Sequence, residues 1–219
     1  MGGLPIPSMN LIEGENDTGK SVFCQDVIIG ALKSDLSVRY VTTEMTTTST
    51  LSQLESFGFD ALPYFIKGKF KITAFHSKGI DWDENITSNY LAVMSNYIKK
   101  KGDADVIIFD SVTYIATHSS QNDLLNFLSE LRNFVDQRRR VILVTLHPFA
   151  FDTNLLIRIR SMCDGHFVFK VKTLPSNETA RSVEILKLRG AMKATNNMAT
   201  FKVEPNMGIR ILPFTAVKA

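Results

Sequence analysis

Cysteine is nearly absent: two residues in 219, Cys24 and Cys163, far apart in the chain. That excludes a fold built on disulfides and leaves the expectation of two reduced thiols in a cytoplasmic protein. Glycine, at 12 residues, is too sparse for a collagen-like or low-complexity chain. Charge of one sign is also lacking. The formal net charge is only +3, against 44% hydrophobic residues, which excludes disorder as the main state. It permits a nucleic-acid partner without arguing for one. The longest apolar runs, such as Val141–Val144 and Val106–Phe109, fall far short of the roughly 18 residues a membrane span needs. Met1 to Asn10 shows no basic leader followed by an apolar stretch, so no secretory signal is expected. The four histidines, His76, His118, His147 and His166, lack metal-ligand spacing, and no CxxC occurs, so no structural metal is expected.

What remains is a chain able to bury one substantial core, expected as a single domain over residues 1–219. Its periodicity alternates. Ser8–Glu13 reads as a strand, and the segment from Lys20 to about Ser34 as a helix. Val38–Thr43 reads as a strand and Thr46–Phe57 as a helix stopped by Gly58. Lys69–Phe75 is a third expected strand. A long helix follows from Asp83 to Lys101, with Ile86, Tyr90, Val93, Met94 and Tyr97 on its buried face. Asp105–Asp110 is an apolar run closed by an acid, as in a central strand covered on both faces. Asn122–Gln137 (helix), Arg140–Leu146 (strand) and Asn154–Met162 (short helix) complete the alternation. From there only strands are expected: His166–Lys172, Ser182–Leu188, Ala199–Glu204 and Gly208–Leu212, the first two joined by a hairpin loop at Thr173–Ala180. The fold class is therefore α/β, a mostly parallel central sheet with helices on both faces and antiparallel strands at its C-terminal edge.

One segment carries recognisable chemistry. Gly14-Glu15-Asn16-Asp17-Thr18-Gly19-Lys20-Ser21 fits G-x-x-x-x-G-K-[ST] in full, between an expected strand and an expected helix. A polyphosphate needs several inward-pointing backbone N–H groups, so the loop must wrap tightly. Gly14 and Gly19 permit the turn, Lys20 reaches the outer phosphates and Ser21 offers a hydroxyl to Mg²⁺. The helix N-terminus adds its positive end. The binding segment is expected to run from Gly14 through Val22, and its ligand to be ATP with Mg²⁺. Asp110, at the end of Val106-Ile107-Ile108-Phe109, supplies the acid of the metal shell, through water; the competing reading is a cap on the next segment. Glu44 is the candidate to orient the attacking water, provided that the Val38–Thr43 strand lies beside the P-loop strand; the alternative is a helix-start acid. Thr145-Leu146-His147 closes its strand with a polar end that either senses the γ-phosphate or is a satisfied strand terminus.

These residues, with Tyr40-Val41-Thr42-Thr43-Glu44 and Ile185-Leu186-Lys187-Leu188-Arg189-Gly190, resemble the KaiC group of RecA-like ATPases over about residues 8 to 212. Within it, the loop spelling Glu-Asn-Asp-Thr-Gly-Lys-Ser is similar to that of the FlaH (ArlH) family of the archaellum motor. The resemblance implies an α/β RecA-like fold and a nucleotide held between neighbouring subunits of a ring, a hexamer. It implies that Lys187 and Arg189 reach a neighbour's site, where an arginine neutralises charge growing in the transition state. Residues at i and i+2 on a strand share a face, so both charges can aim across one interface. It further implies docking on the archaellum motor ATPase inside a cytoplasmic scaffold ring, peripheral to the membrane, with weak hydrolysis. One departure is visible: the group usually has two adjacent glutamates after its second strand, and here Glu44 is followed by Met45. Two other readings share the core, a DNA-stimulated recombinase-type ATPase and an autophosphorylating switch using the Thr46–Thr50 hydroxyls. The basic runs Lys99–Lys101 and Arg138–Arg140 are expected to be solvated helix ends, with a partner patch as the alternative. Phe57, Phe59, Tyr64, Phe65 and Phe70 are expected in the core.

Overall fold

A computed structural model describes residues 3–75, 84–101, 103–173, 179–191 and 198–212. In chain order the elements are β1 (Ser8–Gly14), α1 (Lys20–Lys33), β2 (Val38–Thr42), α2 (Thr47–Ser56), α3 (Leu62–Ile66) and β3 (Phe70–Ala74). Then come α4 (Glu84–Lys101), β4 (Val106–Asp110), α5 (Thr113–Thr117), α6 (Gln121–Arg138), β5 (Val141–Leu146), a single 3-10 turn at Pro148–Ala150 and α7 (Thr153–Met162). Four strands finish the chain: β6 (Gly165–Thr173), β7 (Thr179–Leu188), β8 (Met198–Glu204) and β9 (Gly208–Leu212).

Among the described residues the strands form one nine-stranded sheet, ordered β3-β2-β4-β5-β1-β6-β7-β8-β9. Every pairing from β3 to β6 is parallel. The pairings of β6, β7, β8 and β9 are antiparallel. The expected class is thus the observed one. β1, β4 and β5 are buried at every position, which explains the near-continuous apolar runs of β4 and β5. Alternation splits each strand between two cores. Met9, Leu11, Ile107, Phe109, Ile142 and Val144 pack on α4, α6 and α7. Ile12, Tyr40, Val106, Ile108, Val141 and Leu143 face α1 and α2. The apolar stripe of α6 is buried as its periodicity predicts, at Leu124, Leu125, Leu128, Leu131 and Val135. Phe59 and Phe70 are buried, and Tyr64 and Phe65 pack against the same core.

Three expectations need correction. In α4 the buried residues among those described are Leu91, Met94, Ser95 and Ile98, while Val93 is 64% exposed; of the expected face Met94 is buried and Tyr90 packs against the core, and the Ile86 side chain lies outside the described residues. The buried set has i, i+3, i+4, i+7 spacing, so the stripe is turned by one position from the expected one. The helices α3 and α5 were not anticipated; at five residues each, neither is long enough to show a period. Finally, β2 does not lie beside β1. Both β4 and β5 stand between them. The start of α4 at Asp83, His76 and most of the Thr173–Ala180 loop lie outside the described residues. The Thr46–Thr50 hydroxyls build the start of α2: Thr46 Oγ1 accepts from the Ser49 backbone N–H at 3.0 Å, and the Thr50 hydroxyl donates to the Thr46 carbonyl at 2.9 Å.

Candidate phosphate-binding cleft

Parallel strands end together, so the ends of β1, β2, β4 and β5 converge on one edge of the sheet. A cleft of about 480 Å³ opens there, lined by the P-loop from Asn16 to Val22 and by Glu44, Gln53, His147, Arg181 and Val203. Gly14 is obligatory, because a Cβ would come within 2.7 Å of the Phe169 carbonyl oxygen and of Thr18 Oγ1. Gly19 has φ +97, and a Cβ there would press on the Phe201 ring of β8 at 3.1 Å. Inside the loop Thr18 Oγ1 donates to the Glu15 carbonyl at 2.8 Å.

Lys20, the first residue of α1, is 5% exposed, and its Nζ donates to the Glu15 carbonyl at 2.6 Å. Burial pulls its pKa down, and the carboxylates of Glu44 and Asp110 oppose that shift. A nearly buried ammonium that meets only a backbone oxygen is under-compensated, and a phosphate would complete its surroundings. Asp110 is 1% exposed and faces the same side. The Tyr40 hydroxyl donates to its Oδ2 at 2.6 Å and the Thr145 hydroxyl to its Oδ1 at 2.7 Å. Thr145 is therefore occupied by Asp110, and the cleft-facing group at the end of β5 is His147. Both of the Asp110 oxygens keep one strong donor, an arrangement suited to contacting a hydrated ion rather than stripping it. Ser21 lines the cleft next to Lys20. One serine hydroxyl, phosphate oxygens and water held by a carboxylate meet the needs of Mg²⁺, which keeps most of its waters. When bound, that ion would neutralise phosphate charge.

Glu44 reaches the cleft although β2 is distant from β1, because the chain beyond Thr42 turns inward. The backbone N–H groups of Glu44 and Met45 both donate to Thr42 Oγ1, at 3.1 and 3.2 Å. Burial in the cleft pushes the Glu44 carboxyl up, with Asp110 adding to the shift. His147 Nε2 lies 3.7 Å from Glu44 Oε1, and burial beside Lys20 pulls the imidazole down. His147 is thus favoured neutral and able to donate one N–H.

Lys187 and Arg189 are not part of this cleft. β7 runs down from the P-loop edge, so Arg181 at its upper end touches the loop and Lys187 pairs in register with His166, beside Leu11. Lys187 Nζ donates to the Arg160 carbonyl at 3.1 Å, at the end of α7. β7 stops at Leu188, where the strand was expected to end, and exposed Arg189 follows it, its backbone N–H donating to the Asp164 carbonyl at 2.9 Å. Arg181, which sequence reasoning missed, donates from Nε to the Asp17 carbonyl at 2.7 Å. No motif marks it, since its role depends on a contact between residues far apart in the chain.

Comparison with known proteins fits this geometry. The family model described as "ATPase: KaiC" matches residues 1–216. The archaeal flagellar ATP-binding protein FlaH of Sulfolobus acidocaldarius is 32% identical over 219 residues, all of this chain and 94% of that protein. The chain belongs to the KaiC ATPase family and, within it, to the FlaH group. The crystal structure of the flagellar accessory protein FlaH from Methanocaldococcus jannaschii has a TM-score of 0.83 at 25% identity, over 97% of this chain and 92% of that one. A KaiC-like protein from Pyrococcus horikoshii shares the fold, with a TM-score of 0.74 at 23% identity, over 96% and 92% of the two chains.

Proposed function

We propose that this FlaH-group protein is an ATP-binding, nucleotide-gated assembly component of the archaellum motor. Its P-loop, Gly14 to Val22, holds the phosphates of ATP, with Lys20 on the outer ones. Ser21 and, through water, Asp110 hold Mg²⁺. Glu44 orients water, but it stands alone beside Met45, so hydrolysis is slow. Copies join in a ring, a hexamer, in which Lys187 and Arg189 of one subunit approach the nucleotide of the next. ATP thereby sets affinity for the motor ATPase and its scaffold ring, at the cytoplasmic side of the membrane. Among the described residues no helix is long and apolar enough to cross a membrane, which suits that placement.

One observation carries the reading: Lys187 and Arg189 sit at the end of β7 away from their own P-loop, while Lys20 lies under-compensated in an open cleft. Their charges serve a nucleotide only if it belongs to another copy. A ligand shifts assembly by its differential affinity for the two states, and contacts made only in the ring supply that difference. The test is light scattering with ATP, ADP and no nucleotide, with phosphate release followed in the same samples. Growth to a ring with ATP and little turnover is expected, and Arg189→Ala should lose the growth while still binding ATP. Fast turnover by a particle that never grows would contradict the proposal.

A further inference from the structure

Asp110 is held from both sides. β4 lies between β2 and β5, and on the face turned toward α1 each neighbour brings it a hydroxyl. From β2 the Tyr40 phenol donates to Oδ2 at 2.6 Å, and from β5 the Thr145 hydroxyl donates to Oδ1 at 2.7 Å. The two donors arrive by different routes. Val144 pairs in register with Phe109, so Thr145, the next residue, stands beside Asp110 and a short side chain suffices. On β2 the residue in register with Asp110 is Thr42, and its Oγ1 accepts the backbone N–H groups of Glu44 and Met45. Thr42 builds that turn, and the second donor comes from further back. Tyr40 pairs with Ile108, two residues before Asp110 on the same face. Its long side chain spans that step and ends at the carboxylate.

Packing alone does not ask for this hydroxyl. Tyr40 is fully buried, in the core shared with Ile12, Ile28 and Ile108, where phenylalanine has nearly the same shape. A buried hydroxyl costs free energy unless it is paired. This one is paired with a charge, and such bonds are stronger than those between neutral groups. Burial, with Asp110 beside it, pushes the phenol well above its ordinary value of 10, so it stays a donor at neutral pH.

The ATP and Mg²⁺ assignment above gives this bond a purpose. On that reading, we propose that Tyr40 is a positioning residue for the metal: with Thr145 it fixes the Asp110 carboxylate as an acceptor for the ion's water rather than a direct ligand, and so makes the cleft prefer Mg²⁺ to Ca²⁺. With a strong donor on each oxygen, the carboxylate has a set plane and little charge to spare for a bare cation. Mg²⁺ sheds water reluctantly and demands a regular octahedron, so a rigid acceptor for its water suits it. Ca²⁺ tolerates irregular geometry and takes carboxylate oxygens directly, so it gains little from that rigidity. Without the Tyr40 bond Oδ2 is released and the distinction fades.

The probe is ATP carrying an N-methylanthraniloyl fluorophore, titrated by anisotropy with the full chain in EDTA, in Mg²⁺ and in Ca²⁺. The quantity read is the gain in affinity that each metal gives over EDTA, so effects on metal-free nucleotide contacts cancel. In Tyr40→Phe the Mg²⁺ gain should fall about tenfold, as for other partners standing behind a metal's ligands, while the Ca²⁺ gain holds or rises and affinity in EDTA stays within about twofold. Thr145→Val should lower the Mg²⁺ gain likewise, and Thr145→Ser, which keeps the hydroxyl, should retain it. In an Asp110→Asn background Tyr40→Phe should cost nothing more, because Tyr40 acts through Asp110. Melting temperatures in EDTA show that each variant is folded; if Tyr40→Phe does not fold, the Thr145 pair carries the comparison. Three results would overturn the proposal: an unchanged Mg²⁺ gain in Tyr40→Phe, equal losses with Mg²⁺ and Ca²⁺, or a loss confined to stability and metal-free affinity. Each of these leaves the nucleotide cleft standing as long as the parent binds ATP in EDTA. A parent that binds under none of the three conditions would overturn the cleft assignment as well.

Discussion

Two carboxylates near the P-loop, one on β1 itself and one just beyond β2, live in opposite surroundings. Glu13, one residue before Gly14, faces α7 and is gripped by the Arg160 fork at 2.8 and 2.6 Å, with His166 Nε2 at 3.1 Å. Burial alone would push its carboxyl up, but these partners outweigh it and hold the pKa below the ordinary value of 4.5. Glu44 faces the cleft on the other side. Burial and Asp110 push its pKa above 4.5. One network is closed, its carboxylate held by both arms of an arginine fork. The other is left short of partners, with Lys20 against a backbone oxygen. A satisfied buried network secures structure, whereas an unsatisfied one marks a place that a ligand completes.

The largest effect on stability should come from opening the closed side. Arg160→Ala leaves the Glu13 carboxylate buried with only His166 beside it and should cost about 2–4 kcal/mol, read from urea unfolding with an unchanged slope. A variant as stable as the parent would show that the two sides do not differ. The pH dependence sharpens the same contrast. Because the folded pKa of Glu13 is depressed, its contribution is complete above the ordinary value of 4.5 and lost as pH falls through the folded value. The Arg160→Ala penalty should therefore shrink in acid. Glu44 runs the other way: its folded pKa is raised, so its ionisation opposes folding as pH rises above 4.5. Glu44→Gln should leave the free protein as stable or slightly more so near neutral pH, while removing residual phosphate release. A loss of stability in that variant would assign Glu44 to the framework.

Much of this was legible in the sequence, and the misses share a cause. The P-loop, Asp110 and the alternating elements were readable because each depends on neighbours a few residues away. Strand order was not readable, because the placing of β4 and β5 between β1 and β2 is a property of the whole chain. Glu44 still reached the cleft, through the Thr42 side chain that turns the backbone, and not through the adjacency that was expected. Arg181, brought to Asp17 from the antiparallel half of the sheet, left no local trace. The Lys187–Arg189 pair was recognisable as a motif, and its strand ends at Leu188 as expected, but its placement away from the P-loop depends on the antiparallel pairing of β7 with β6.

The smallest expected effect lies far from the cleft. Gly30→Ala adds a methyl to open space in the last turn of α1 and should stabilise by up to about 1 kcal/mol, seen as a raised melting temperature with ATP affinity intact. Destabilisation would mean that this side of α1 is less open than described.

The most direct measurement is a calorimetric titration of ATP with Mg²⁺ into the parent chain and into Lys20→Ala, each shown to be folded by circular dichroism. The expected result is saturable binding to the parent, at one nucleotide per chain, and none detectable in the variant. Equal affinity in both would contradict the assignment of the cleft and, with it, the role proposed for the protein.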